Sequence, residues 1–240
     1  MMTKRTFISI ISLFVIVLAM FQLSIFKTLY LIAKVTPAYE QAGSGAKTLL
    51  VMGDSTGYGT GAATRQETLA GRIGSAYPDL TITNNSVNGR TAIELVAAAK
   101  EVTSENDVIL IQIGANDLLK GASPESVVAT VESLVQILTP QAKHIIVLTS
   151  GNIGAAWRFE GEKATQLTAV SKKYDELMRE KAAVSDFEFI SLWTTPDQDP
   201  FVAEPKTYLA FDGLHPSSAG YGVWFANLQP VLAAALATDL

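Results

Sequence analysis

The sequence predicts an α/β protein in which a parallel β-sheet lies between two layers of helices. Short apolar segments alternate five times with longer segments of helical spacing after residue 46. The apolar segments are continuous rather than alternating, which is typical of strands buried on both faces of a parallel sheet. Strand–helix alternation of this kind favours a three-layer α/β/α sandwich. Roughly 200 residues take part, enough for one domain with a sizeable core.

Each predicted strand is short and rich in Val, Ile or Leu, and the ranges are 47–53, 80–87, 107–113, 144–149 and 187–192. The third is the most continuously apolar, whereas the second is mainly β-branched. The predicted helices are 64–77, 91–102, 124–138, 162–184 and 217–237. Among them the helix over 124–138 has the clearest start, because Ser123 is a preferred cap and Pro124 suits the first helical position.

The N-terminal residues 1–35 differ from the rest of the chain. Lys4 and Arg5 precede a run of 20 mostly apolar residues, 7–26, about the length that a helix needs to cross a bilayer. The apolar region of a cleaved signal peptide is shorter, about 7–15 residues. We therefore expect an uncleaved signal anchor over 1–35, a linker over 36–46, and the α/β domain over 47–240, placed outside the cytoplasm. Secretion after cleavage is the alternative.

Composition excludes several classes of function. The sequence contains no cysteine, which excludes disulfides, thiolate catalysis and cysteine-bound zinc. The net charge is −5 with acids and bases mixed along the chain, so the basic stripe of a nucleic-acid-binding protein is missing. Histidine chemistry would have to use His144 or His215, because the sequence has only these 2 histidines.

Polar residues stand where predicted strands end, and parallel strands bring these ends to one edge of the sheet. Ser55 follows the first strand, on a tight turn into a helix that would expose its side chain and direct its N–H at an oxyanion. Serine is a weak nucleophile and needs a base, for which His215 is the better candidate. Asp212 precedes His215 by three residues, so one turn can place its carboxylate beside the imidazole.

Two further strand ends supply hydrogen-bond donors. The N–H of Gly89 and the side-chain amide of Asn116 can join the N–H of Ser55 in a three-donor oxyanion hole. The sequence thus predicts Ser55, Asp212 and His215 as catalytic residues, with Ser55, Gly89 and Asn116 binding the oxyanion.

These residues resemble the signature blocks of the GDSL or SGNH hydrolases. The four blocks occur in the family's order: Gly53-Asp54-Ser55, Gly89, Gly114-x-Asn116-Asp117 and Asp212-x-x-His215. A threonine, Thr56, stands where the family name has leucine. The resemblance implies a flavodoxin-like sheet of order 2-1-3-4-5 and hydrolysis of carboxylic esters or thioesters without metal or cofactor. The candidate substrates are short-chain acyl esters, acetyl esters, lysophospholipids and thioesters.

Other interpretations remain open at this stage. Ser55 could be a simple helix cap, the protein could bind acylated glycans without catalysis, or an acyl-enzyme could pass its acyl group to an alcohol. Two motif matches, by contrast, are rejected. Gly53-x-Ser55-x-Gly57 fits the nucleophile elbow of α/β-hydrolases, but that fold places several strands before the elbow and only one precedes it here. A dinucleotide motif over 57–62 lacks its ribose-binding acid. The loops 150–161 and 193–210 are candidate walls or lids of the site.

Overall fold

The computed structural model describes residues 4–237 and contains a parallel sheet of five strands in the order β2-β1-β3-β4-β5. Every neighbouring pair in the sheet is parallel. The predicted fold class and strand order are confirmed. The strands are β1 Thr48–Gly53, β2 Thr81–Asn84, β3 Asn106–Gln112, β4 Ala142–Leu148 and β5 Glu188–Ile190.

Helices connect these strands and cover both faces of the sheet. In chain order they are α1 Lys4–Lys34, α2 Ser55–Tyr58, α3 Leu69–Ala76, α4 Ala92–Ala99, α5 Ala115–Leu119, α6 Pro124–Leu138, α7 Gly161–Ala182, α8 Pro200–Ala203, α9 Pro205–Tyr208 and α10 Ser218–Ala237. The helix predicted over 64–77 begins later than expected, because Thr68 caps α3 by accepting a hydrogen bond from the N–H of Gly71. A short 3₁₀ turn, Arg65–Glu67, precedes it.

Strand β2 ends three residues before the predicted end at residue 87. The side chain of Asn84 donates to the carbonyl of Gly57 at 3.0 Å and accepts from the N–H of Ser86 at 3.0 Å. These bonds turn the chain away from the sheet, since an Asn side chain can replace a ladder partner for the backbone. The loop that carries Gly89 therefore starts directly at the end of β2.

Alternating residues of the central strand enter two different cores. Ile109 and Ile111 of β3 pack with α4, α6 and α7 on one face, where Leu134 is fully buried. Val108 and Leu110 pack with α3 and α10 on the opposite face. Burial on both faces explains why the strands read as continuous apolar runs.

The C-terminal end of the predicted anchor and part of the predicted linker contact the domain. Helix α1 covers most of residues 1–35, and Leu31 and Val35 near its C-terminal end are 3% and 0% exposed. In the linker region, Gln41 exchanges backbone hydrogen bonds with Ile82 of β2. Gln41, in the middle of the predicted linker, thus pairs with the edge strand of the sheet. Residues 1–3 and 238–240, and the side chains of 4–13, 16, 19, 21 and 24, lie outside the described structure.

Within the described part of the chain, no helix combines the length and apolar character needed to cross a membrane. The membrane anchor expected over residues 1–35 stays a prediction. Extracytoplasmic placement of the domain stays a prediction.

Replacing Leu134 with alanine tests the core between α6 and the sheet. Leu134 is 0% exposed, so Leu134→Ala should lower the free energy of unfolding by about 2–5 kcal/mol through lost burial and a residual cavity. Gln136→Ala, on the exposed face of the same helix, should change it by less than about 0.5 kcal/mol. Urea denaturation measures both, and equal effects of the two variants would contradict this packing.

Candidate active site

Ser55 is the first residue of α2, immediately after β1. The carboxylate of Asp54 caps this helix, with Oδ1 accepting from both the N–H and the hydroxyl of Thr56 at 2.8 Å. The N–H of Ser55 has no hydrogen-bond partner among the described residues, as expected at the start of a helix. After one turn α2 ends at Gly59, whose φ of +93° makes it a left-handed cap. The turn therefore presents both the hydroxyl and the N–H of Ser55.

His215 and Asp212 lie on one tight turn before α10. Asp212 Oδ1 accepts the N–H groups of Leu214 and His215 at 3.0 and 3.1 Å, which holds the turn in place. Asp212 Oδ2 lies 2.6 Å from His215 Nδ1, and His215 Nε2 lies 2.9 Å from Ser55 Oγ. An unbroken series of hydrogen bonds therefore joins the serine hydroxyl to the carboxylate, and both partners of the serine are buried.

The carboxylates near Ser55 differ in pKa because their partners differ. Burial acts to raise the pKa of Asp212, but the hydrogen bond and charge of His215, with the two backbone N–H groups, outweigh it and hold the pKa below its ordinary value. Complete burial raises the pKa of Asp54, and the hydrogen bonds from Thr56 offset this only in part. Asp212 is thus the carboxylate adapted to stay ionised beside the imidazole.

The two predicted oxyanion donors lie at the neighbouring strand ends. Gly89 has a φ of +80°, and its N–H has no partner among the described residues. Asn116 Nδ2 donates to the carbonyl of Arg90 at 3.1 Å and to Asp54 Oδ2 at 3.3 Å. Ser55, Gly89 and Asn116 line the same cavity.

That cavity measures about 240 Å³ and opens over Ser55 and His215. Both candidate loops contribute to it: Ile153 and Ala156 come from the loop 150–161, and Asp199 and Phe201 from the segment 193–210. The wall interpretation of 150–161 fits this placement better than that of a mere connection. The segment 193–210 is not fully irregular, because it contains α8 and α9.

Some lining residues had no signal in the sequence. Thr28 and Ile32 of α1 reach the cavity, although they lie more than twenty residues before the first signature block. Asp199 also lines it, and burial raises the pKa of its carboxyl group while hydrogen bonds from Phe201 and Val202 oppose the shift. No local pattern marks such residues, because tertiary packing alone brings them to the site.

Asp117 and His144 make contacts that stabilise the fold and do not belong to the predicted catalytic set. Asp117 accepts the N–H of Ala92 with both carboxylate oxygens, at 3.1 and 3.0 Å, and so caps α4 instead of its own helix. His144, near the start of β4, has its Nδ1 3.3 Å from Oε1 of Glu188, the first residue of β5. Because active-site residues of such sheets stand at the carboxyl ends of strands, His144 lies at the opposite edge.

Comparison with known proteins identifies a matching family. Residues 51–223 match the model of the GDSL-like lipase/acylhydrolase family, a range that contains all five predicted site residues. No curated protein matches the chain in sequence.

Several solved structures share the fold. A member of the lipolytic G-D-S-L family from Veillonella parvula has a TM-score of 0.67 at 17% identity, covering 78% of this chain and 99% of that chain. An acetylxylan esterase from Geobacillus stearothermophilus gives 0.59 at 24%, covering 80% and 96%. A carbohydrate acetylesterase family member from Sinorhizobium meliloti gives 0.59 at 19%, covering 80% and 100%. At these identities the likeness shows the shared fold.

The approach of Gly114 to Tyr174 can be tested by two matched alanine variants. Gly114 has a φ of +114°, and a Cβ there would lie 2.7 Å from the Tyr174 hydroxyl. Gly121 has a φ of +90° but open space around its Cβ position. Both Gly114→Ala and Gly121→Ala should lower the free energy of unfolding by about 1–3 kcal/mol through backbone strain, and Gly114→Ala should lose more. Equal losses in urea denaturation would show that the contact with Tyr174 does not matter.

The lowered pKa of Asp212 predicts a pH-dependent contribution to stability. A carboxyl group with a lowered pKa in the folded state stabilises the protein above its ordinary value of 3.8, and this contribution is lost as pH falls through the lowered pKa. The difference in free energy of unfolding between wild type and Asp212→Asn should therefore be largest near neutral pH and shrink below about pH 4. Asp186→Asn, at an exposed position, is the control, and a pH-independent difference for Asp212→Asn contradicts the assignment.

Proposed function

The chain belongs to the GDSL-like lipase/acylhydrolase family of carboxylic ester hydrolases, and we propose that Ser55 cleaves its substrate through an acyl-enzyme. The observation that carries this proposal is the hydrogen-bonded series from Ser55 Oγ through His215 to Asp212, open to a cavity at the serine end. A helix cap needs no such series, because capping uses the serine hydroxyl on the backbone of its own helix.

In the first half of the reaction Ser55 Oγ attacks the ester carbonyl carbon while His215 Nε2 takes the hydroxyl proton. Asp212 holds the imidazole with Nδ1 protonated and stabilises the imidazolium that forms. The tetrahedral intermediate collapses, the C–O bond to the alcohol breaks, and His215 returns the proton to the leaving oxygen. Water then repeats the sequence on the acyl-enzyme, releasing the carboxylic acid and restoring the Ser55 hydroxyl.

The negative charge on the carbonyl oxygen would be bound by three N–H donors. Among the described residues, the backbone N–H groups of Ser55 and Gly89 have no hydrogen-bond partners to give up. The Asn116 amide would keep its bond to Arg90 and exchange its longer bond, 3.3 Å to Asp54, for the oxyanion. Removal of one such donor commonly costs about 10²–10³-fold in rate.

We propose acetyl esters as the substrate class. Two structural neighbours are named as an acetylxylan esterase and as a carbohydrate acetylesterase family member, and the small cavity of about 240 Å³ suits a small acyl group. The lining of this cavity includes small or apolar side chains, among them Ala115, Ile153 and Ala156. Longer acyl esters, lysophospholipids and thioesters are the other substrates to include in an assay.

Replacing Ser55 tests the proposal most directly. Ser55→Ala should reduce hydrolysis of p-nitrophenyl acetate by at least about 10³-fold, because no other nucleophile takes its place. Ser133→Ala, on the exposed face of α6, should leave the rate unchanged. Circular dichroism checks that Ser55→Ala keeps the fold, and undiminished hydrolysis by that variant would sink the proposal.

Two measurements on the same pair of proteins separate the alternatives. A fluorophosphonate probe should add its mass to wild type and not to Ser55→Ala, whereas a protein that only binds acylated glycans would not react. Product analysis with an added alcohol then distinguishes hydrolysis from acyl transfer, since transfer produces a new ester in place of the free acid.

A further inference from the structure

We infer that the C-terminal turns of α1 form the wall of the pocket that receives the leaving alcohol, and that Ile32 sets the size of alcohol accepted. The inference rests on the proposed ester hydrolysis at Ser55 and adds a specificity-determining residue to it. Thr28 and Ile32 line the cavity, yet α1 lies wholly before the range 51–223 that matches the family. This chain therefore builds part of its pocket from a segment outside the matched family domain.

The end of α1 is firmly packed where it meets the site. Leu31 is 3% exposed and Val35 is 0% exposed, and Val35 belongs to the core that includes α3 and α10. Thr36, just beyond the helix, lies with its hydroxyl 2.9 Å from that of Tyr58 at the end of α2. The wall is thus anchored to the domain and cannot be treated as a loose covering.

The same turns also contact the segment that carries the acid–base pair. The ring of Tyr30 packs on that of Phe211 with centroids 5.9 Å apart, and Phe211 is the residue before Asp212. The Thr28 hydroxyl lies 3.4 Å from Asp212 Oδ2. Helix α1 and the residues just beyond it therefore connect α2, which carries Ser55, with the turn that carries Asp212 and His215.

This position identifies which half of the ester faces α1. The leaving oxygen must lie within reach of His215 Nε2, while the carbonyl oxygen points towards Gly89 and Asn116. Ile32 shares the cavity with Pro216, beside His215, and with Trp224 of α10. By contrast, Ile153 in the cavity wall belongs to the core on the opposite face of the sheet. The alcohol therefore leaves on the α1 and α10 side of the pocket.

An apolar, half-buried Ile32 at this place favours an alcohol whose first carbons are apolar and limits their bulk. Adding or removing one methylene in an apolar pocket changes kcat/KM by about 10–200-fold. The ratio of kcat/KM for two esters that differ only in the alcohol is consequently a sensitive measure of the space that this wall leaves for the alcohol. The ratio does not depend on the amount of active enzyme.

The experiment uses the full chain and two ester series measured by acid release. In one series the acid is acetate and the alcohol grows from ethanol to hexanol; in the other the alcohol is ethanol and the acid grows from acetate to hexanoate. Ile32→Ala should raise the hexyl-to-ethyl acetate ratio of kcat/KM about 10-fold, and Ile32→Phe should lower it, with little change in the acyl series. Leu29→Ala, 58% exposed on the same helix, should leave both ratios as in wild type.

The outcomes distinguish the inference from the proposed function. Unaltered alcohol ratios in both active Ile32 variants would overturn the inference and leave the Ser55 mechanism standing. A change confined to the acyl series would overturn the assignment of this wall to the alcohol. If wild type hydrolyses no ester of either series, the proposed function and the inference both fail.

Discussion

The geometry of the site depends on one buried carboxylate, that of Asp212, whose two oxygens accept hydrogen bonds from different partners. Oδ1 receives two backbone N–H groups and so determines the shape of the turn, while Oδ2 faces the imidazole of His215. The same side chain therefore places the histidine and selects the ring nitrogen that stays protonated. At the observed spacing of three residues, the one carboxylate both accepts the backbone N–H groups of the turn and reaches the imidazole.

Parallel strand topology brings the remaining groups to that turn. Ser55 follows β1, Gly89 follows β2 and Asn116 follows β3, and these strands are neighbours in the order β2-β1-β3. Residues separated by up to about 60 positions in sequence thus meet without any long connection. The central place of β1 gives Ser55 a donor-bearing loop on each side, which is the arrangement that a carbonyl oxygen above the serine requires.

Much of this architecture could be predicted from the sequence. The features that could not be predicted have a common physical reason. Continuous apolar runs indicated the five strands and their burial, and the polar residues after them indicated the edge of the site. Helices α2 and α5, of four and five residues, are too short to show helical periodicity. Thr28, Ile32 and Asp199 join the cavity through distant packing, so no nearby residue marks them. The apolar run likewise carries no information on how the end of α1 packs against the domain.

The capping of α4 by Asp117 affects how much free energy is needed to accommodate the negative charge that forms on the substrate carbonyl oxygen. Asp117 stands on α5 next to Asn116, and its carboxylate holds the first N–H of α4, the helix that follows the Gly89 loop. Two donors from different strand ends are thereby tied into one rigid frame before substrate arrives. Dipoles that are already fixed contribute little reorganisation energy when an oxyanion appears between them, whereas water would have to reorient. Asp117 would in this way help to hold the proposed oxyanion donors in position through the reaction.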